Sequence, residues 1–529
     1  MSSSDTRHDT AISLSTIERD SVNLAPEIRS EVDVISHDAD LAAEAMIDND
    51  GNIKNAISES AKQAFLQQRR KVKIALPALF LLTILGHVVF QSFNLVYQNV
   101  GASLHVSAST SSLLVSIPGV ALAAICMLYD TLCDYISPRT IIIWGVCLLT
   151  ASSIFGFVCS GNFWCVLIAR ILQTLAVHAS VVLVIMVKYL SPKEKALYIG
   201  VNNTVYYISV ALGMLFGGTI SFIPWKWLLL IPALSILLLP IIARDVPRLK
   251  GQHDSFDTFG ITVFVAAAAA ITIYFTYAYW WLLVAFAVLM VVFGCYVHFG
   301  KNPFLSREFM HNGAFMGIMV TLFVGFFFQY GAIPIYKVIG KHVYHMDLQE
   351  ISIYLMIIYI ACMILSFVSG PLMTRVGRYN TILISAALMV IGFALSALFL
   401  KTSFILLSIF AIVYEAGLTL IYTPIYDLTA DALQVSERGR GIGVAHVMMN
   451  TAPSIGIAAY SFMRVLPSMD HYAWLGLDIY SKDAICTSNI FWVMFISAVL
   501  ALIIVLILRR PIKCAEEKSL EKIATFLQK

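Results

Sequence analysis

Long uninterrupted apolar runs, separated by short polar turns, set the rhythm of this chain. A helix needs about twenty predominantly apolar residues to cross the hydrocarbon core of a bilayer. Runs of that kind lie near residues 74–97, 111–129, 140–159, 163–187, 198–222, 226–243, 258–278, 280–299, 314–336, 351–373, 380–400, 403–426, 441–463 and 489–508. They predict an all-α membrane protein with about fourteen transmembrane helices. Composition agrees with the pattern. Of 529 residues, 59% are apolar and 13% charged, and the mean hydropathy is +0.82. Soluble domains are about 25% charged, and a larger core cannot hide the deficit because surface still grows with mass. The uncharged surface faces lipid.

Charge adds an orientation. Residues 1–60 hold thirteen acids against four bases, Arg7, Arg19, Arg29 and Lys54, so a net charge of −9 sits in front of a body of about +12. The segment up to about Ala56 has no apolar stretch of the signal-peptide kind and reads as a disordered cytoplasmic tail. Ile57–Lys73 is compatible with helix and ends in a basic cluster. With that tail inside, the inner loops and flanks collect Arg69, Arg70, Lys71, Lys73, Arg139, Lys188, Arg244, Arg307, Arg375, Arg378, Arg438 and Arg509. The outer loops hold only Lys226, Lys337, Lys341, Lys401, Arg464 and Lys482. Positive charge favours the cytoplasmic side, so both termini are expected there, in a plasma or bacterial inner membrane. No dense basic patch suggests a nucleic-acid partner.

Nine cysteines occur without a CxxC or Cys/His ligand spacing, so neither a metal nor a disulfide framework is indicated. Cys486 is expected in an external loop spanning 464–488. No nucleotide-binding loop or nucleophile motif appears, so neither an enzyme nor a cofactor is expected.

Two turns, after the second and tenth runs, look like copies of one another. The first reads Asp130-Thr-Leu132-Cys-Asp134-Tyr-Ile-Ser137-Pro138-Arg139, the second Gly370-Pro-Leu372-Met-Thr374-Arg375-Val-Gly377-Arg378. Both resemble the G-x-L-a-D-r-x-G-r-r loop of the major facilitator superfamily, in which an acid and adjacent bases latch helix ends. Arg170, in Arg170-Ile-Leu-Gln173-Thr174, resembles the family's R-x-x-q-G motif. It either tunes a proton-coupling site or snorkels to the outer surface. The fifth run carries Gly200, Ser209, Gly213, Met214, Gly217 and Gly218 at the spacing of the antiporter motif G-x8-G-x3-G-P-x2-G-G, with Ser209 for a glycine and Met214 for the proline. Ser209, Gly213 and Gly217 recur every fourth residue and would form a smooth stripe for close helix approach. Asn302-Pro303-Phe304-Leu305-Ser-Arg307-Glu308-Phe309, and Ser436-Glu437-Arg438-Gly439-Arg440, resemble the fourteen-helix drug:proton antiporter branch.

That resemblance, over residues 70–510, implies two six-helix halves rocking about a midplane site. Residues 1–72 would form the tail, 73–244 the first half, 245–312 a linker with two extra transmembrane helices, 313–510 the second half and 511–529 a cytoplasmic C-terminal tail. It also implies proton-coupled efflux of small organic compounds or drugs by a monomer. One departure bears on coupling. Where the branch carries an acid in its first span, Val89 stands in this chain. Glu415, near the middle of the twelfth run, is then the candidate proton carrier, together with Arg170. A carboxylate removed from water favours its neutral form, which a relay uses; a structural glutamate bonded to a neighbouring Tyr or Arg is the competing reading. Polar and aromatic mid-span residues, Gln91, Asn94, Asn202, Asn203, Tyr206, Gln329, Tyr330 and Asn450, are candidates for the substrate cavity. A dedicated carrier of one metabolite or siderophore, and a sensor that has lost transport, are the alternative functions.

Overall fold

The computed structural model describes residues 53–176, 181–182, 185–186, 190, 192–246, 257–300, 312–431, 438–475 and 481–510. Among them every regular element is helical. The first half holds α1 (Ile53–Ser103), α2 (Ala108–Tyr135), α3 (Pro138–Val158), α4 (Phe163–Leu175), α5 (Pro192–Gly218) and α6 (Leu239–Asp245). Two further helices follow, α7 (Thr258–Tyr277) and α8 (Trp280–Phe299). The second half holds α9 (Gly313–Phe326), α10 (Gln329–His342), α11 (Leu348–Val376), α12 (Arg378–Leu398), α13 (Phe404–Asp431) and α14 (Arg438–Met463), then the short α15 (Pro467–Asp470) and α16 (Lys482–Ile507).

Among the described residues ten stretches are long and apolar enough to cross a membrane, and Ala108–Ala123 and Phe163–Leu175 are shorter apolar helices. Expected runs that fall outside the ten lie on α2, α4, α5 and α14. Of these α2, α5 and α14 are largely buried, and α5 and α14 carry Asn, Thr and Ser residues that lower their hydropathy. The two halves meet along two seams, α5 against α11 and α2 against α14. Helix α7 packs on both α2 and α14 and so flanks one of these seams.

Several boundaries differ from expectation. Residues 53–72, grouped with the tail on sequence, are helical and continuous with the first span, which agrees with the helix compatibility of Ile57–Lys73. Their Ala, Gln, Arg and Lys content suits helix. The sixth run is a 3-10 helix, Trp225–Leu238, continued by α6. Such a length is uncommon for 3-10 geometry, and Pro232 within it removes a backbone donor.

The ninth run is broken at Phe327–Phe328 and resumes as α10 to His342. Lys337, expected in an outer loop, is therefore a buried residue of α10 that bonds Asn99 of α1. The broken turn packs against Gly456 of α14, where a Cβ would stand 1.5 Å from the Phe327 carbonyl oxygen. Only glycine fits that approach.

The last span starts at Lys482 rather than near 489, which places Cys486 inside α16 and buries it. Its expected accessibility is thereby corrected: apolar packing against neighbouring helices, not a loop, surrounds it. A cysteine placed at Val465, which is 59% exposed, should react with a membrane-impermeant maleimide far faster than Cys486. The reverse order of reactivity would contradict the helix start at Lys482.

The paired turns are both tight. Ile136–Ser137 joins α2 to α3, and the single residue Gly377 joins α11 to α12. Gly377 has φ 87°, a left-handed conformation that an L side chain would strain. Arg139 and Arg378 are half-buried at these turns and Arg375 is exposed. The Asp134 side chain lies outside the described residues, as do His178, the 302–309 stretch, Ser436, Glu437 and both chain ends.

Candidate functional site

The stripe on α5 packs against α1. A Cβ at Gly213 would lie 2.7 Å from Gln91 Cβ and 3.0 Å from the Val88 carbonyl oxygen, and one at Gly217 3.1 Å from Leu95 Cδ2. Ser92 Oγ donates to the Gly213 carbonyl at 2.9 Å, so the approach is pinned by a hydrogen bond. Ser209 turns its hydroxyl onto its own helix, donating to the Val205 carbonyl. Gly218 instead faces the other half, where a Cβ would meet Ser352 Oγ at 2.0 Å. Gly200 has nothing within 4 Å and takes no part in the stripe.

Close packing of α1 on α5 brings polar groups together. Asn94 Nδ2 donates to Gln91 Oε1 at 2.8 Å, and Gln91 Nε2 reaches Tyr206 Oη at 3.4 Å. Tyr206 packs edge-on against Tyr207, 5.3 Å between ring centres, and against His87 of α1. Thr204 of α5 and Ser366 of α11 hydrogen-bond across the seam at 2.9 Å.

Glu415 lies on the other side of that seam. It is 1% exposed, on α13, and accepts a hydrogen bond from Tyr359 of α11 at 3.0 Å through Oε1. Its Oε2 has no partner among the described residues. Tyr206, Tyr207 and Tyr414 all lie within electrostatic reach of the carboxylate. One turn along α13, Thr419 Oγ1 sits 2.7 Å from Tyr207 Oη and donates to the Glu415 carbonyl. A buried acid of one half is thus tied through tyrosines to the polar cluster of the other. No ion pair with Glu415 occurs among the described residues, so of the Tyr or Arg partner that a structural glutamate would have, the tyrosine is present, as Tyr359, and the arginine is not.

Arg170 is fully enclosed, which rules out the snorkelling alternative. Its Cζ stands 4.3 Å from the ring centre of Phe93 and 5.7 Å from that of Phe90, both on α1. Nη1 donates to Gln173 Oε1 at 3.3 Å, while Nε and Nη2 have no partner among the described residues. Gln173 is itself fixed by Ser153 Oγ and the Leu229 carbonyl.

The other expected cavity residues divide. Asn202 and Asn203 lie on α5, with Oδ1 and Nδ2 respectively buried and unpartnered. Asn450 bonds its own helix, donating to the His446 carbonyl at 2.8 Å. Gln329 begins α10 beyond the break, and the Tyr330 side chain lies outside the described residues. Tyr207 and Tyr359 were missed from sequence because a tyrosine within an apolar run has no spacing signal of its own. No group of His, Cys, Asp or Glu residues that could hold a metal occurs among the described residues.

A family model described as "Major Facilitator Superfamily" matches residues 79–300 and 315–528. A curated relative, the multidrug transporter protein MdtP of Bacillus subtilis (strain 168), is 24% identical over 376 residues, which span 67% of each chain. Among solved structures, the human organic anion transporter MFSD10 (TETRAN) superposes with a TM-score of 0.55 at 12% identity, over 81% of this chain and 99% of that one. The D-xylose-proton symporter gives 0.56 at 15% identity, over 81% and 96% respectively. At these identities the structures share a fold.

Proposed function

The chain belongs to the Major Facilitator Superfamily, and within it we propose a proton-coupled transporter that exports small organic compounds or drugs. Its helices make it a multi-pass membrane protein. Fourteen spans, cytoplasmic termini and a monomeric carrier complete the reading, and no catalytic step is needed. The observation that carries it is Glu415, a buried carboxylate at the seam between halves with one oxygen unpartnered. An isolated charge there is costly, so the group is at rest only when a proton or another cation neutralises it. Alternate opening of the two seams would load and unload that proton from opposite sides. Resemblance to the multidrug transporter MdtP supports efflux.

A dedicated carrier of one metabolite is the second reading, favoured by Val89. This residue is wholly buried in apolar core where the antiporter branch has an acid. Proteoliposomes decide the coupling: an imposed proton gradient should drive uphill movement of at least one compound in a panel of amphipathic dyes and arylcarboxylates. Flux indifferent to the gradient across the whole panel would sink the proposal. Hypersensitivity of a deletion strain to many compounds separates efflux from a single nutritional defect.

A further inference from the structure

Arg170 leaves a specific pair of donors open. Nε and Nη2 form the side-on edge of a guanidinium, the edge that takes both oxygens of a carboxylate. Both are buried without a partner, while Nη1 is held by Gln173 and the planar face is covered by Phe93. An arginine stays charged in any protein environment, and its burial in a span costs at least about 2.5–3.5 kcal/mol. Nothing protein-derived among the described residues offsets that cost with a negative charge.

The surroundings point to a ligand. Phe90, Phe93 and Asn94 are at i, i+3 and i+4 on α1, hence on one helix face. Asn94 Oδ1 is also buried and unpartnered. Through Asn94 and Gln91 that face continues to Tyr206 and so to the Glu415 cluster. Charge decides the ligand's sign. Arg170, Lys337 and Glu415 are the buried Lys, Arg, Asp and Glu side chains within the apolar helices among the described residues. A proton silences Glu415, whereas nothing silences Arg170. An organic cation would therefore enter an interior that is already positive.

We infer that Arg170 is the anion-binding arm of the substrate site, and that the substrate is an organic anion: a carboxylate, or a like monoanion, on an aromatic or broad apolar body. The carboxylate takes the Nε/Nη2 edge, and the ring packs beside Phe90 and Phe93. This assignment rests on the transporter reading above but is tested apart from it.

The test is equilibrium binding to the full chain in nanodiscs of neutral phosphatidylcholine, which removes anionic headgroups as competitors. The probes are 2-naphthoate, 2-naphthamide and 2-naphthylmethylammonium, alike in body and different in charge. Naphthoate should bind at least about tenfold more tightly than the amide, as expected for charge-assisted hydrogen bonds, and the ammonium most weakly. Arg170→Gln should erase the preference, and Arg170→Lys should retain part of it. Equal binding of the three probes, preference for the ammonium, or no binding by any of them overturns the inference. So does a folded Arg170→Gln protein that still prefers naphthoate. If Arg170→Gln does not fold, the ordering of the probes on the unmodified chain decides alone. Selective naphthoate binding without gradient-driven flux would leave the anion site standing and remove the coupling. Gradient-driven flux without anion preference would do the reverse.

Discussion

Glu415→Gln should abolish gradient-driven transport, to below about one-hundredth of the unmodified rate, while leaving substrate binding and downhill exchange measurable. A carboxylate that carries the coupled proton must be protonated facing one side and release it facing the other. Glutamine has the shape of the protonated acid and can never release it, so the cycle loses its coupling step but not its binding site. Tyr359 would still find an acceptor in the amide oxygen, where it now donates to Oε1 at 3.0 Å. The fold should therefore survive, with a change in stability of about 1 kcal/mol at most for one altered hydrogen bond. Glu415→Asp keeps a titratable group but retracts it by one methylene from Tyr359, so it should retain some coupling with a displaced pH profile. Flux into inverted vesicles over a range of pH separates these outcomes. Coupled transport with unmodified pH dependence in the glutamine variant would reduce Glu415 to a structural residue and direct attention to Asp134, Asp427 or an ion other than the proton.

Tyr359→Phe is the companion measurement. It removes the Tyr359 hydrogen bond to the carboxylate without opening space, and should shift the pH dependence of flux rather than abolish it. Unchanged pH dependence would show that this tyrosine only packs.

The bundle was largely legible in the sequence because spans are written as composition, and lipid imposes length on each. Where the runs are described they fall largely on helix, the ninth with its break at Phe327–Phe328, and the paired turns after the second and tenth runs fall at tight helix-to-helix connections. What composition could not reveal was where a helix breaks or continues. Phe327–Phe328 is as apolar as its neighbours, and its break shows only through its partner, Gly456 on a distant helix. Lys337 and Cys486 were misplaced for the opposite reason. Helix continues past the end of the apolar run when other helices, rather than lipid, surround it, so a lysine can be buried there and bond Asn99.

The site was legible by residue type but not by grouping. Gln91, Asn94 and Tyr206 come together, Asn450 bonds its own helix, and Gly200 stands clear of the stripe. Glu415 declared itself as an acid in an apolar run, whereas its hydrogen-bond partner Tyr359 comes from α11, and Tyr207, which bonds Thr419, comes from α5. A contact between residues 56 positions apart, as for Tyr359 and Glu415, has no local signature.

Gly200 supplies the control for the last expectation. Gly213→Leu should eliminate transport, as should Gly217→Leu, while Gly200→Leu should retain most of it. All three replace a glycine of one helix by the same side chain, so their intrinsic helix preference gains equally, by about 0.8–1.0 kcal/mol at most. They differ in what the new atoms meet. At Gly213 the first added carbon would already collide with the Gln91 side chain and stand 3.0 Å from the Val88 carbonyl oxygen, which is backbone and cannot rotate away. At Gly217 it presses on Leu95 Cδ2 at 3.1 Å, a side chain that can yield by a few tenths of an ångström. Further leucine carbons have no such exit, since the Ser92 carbonyl oxygen and Val96 Cγ1 close the other sides at 3.4 Å. Separation of α1 from α5 would also break the Ser92–Gly213 hydrogen bond and pull Gln91 from Tyr206. The polar cluster would then lose its link to the Glu415 side of the seam. Gly213→Ala should be intermediate and worse than Gly217→Ala, because backbone yields less than a side chain. Flux per reconstituted protein, with surface expression measured in parallel, gives the ranking. Full activity in Gly213→Leu would mean that α1 and α5 are free to separate during the cycle, and that the small-residue stripe is packing without a mechanical role.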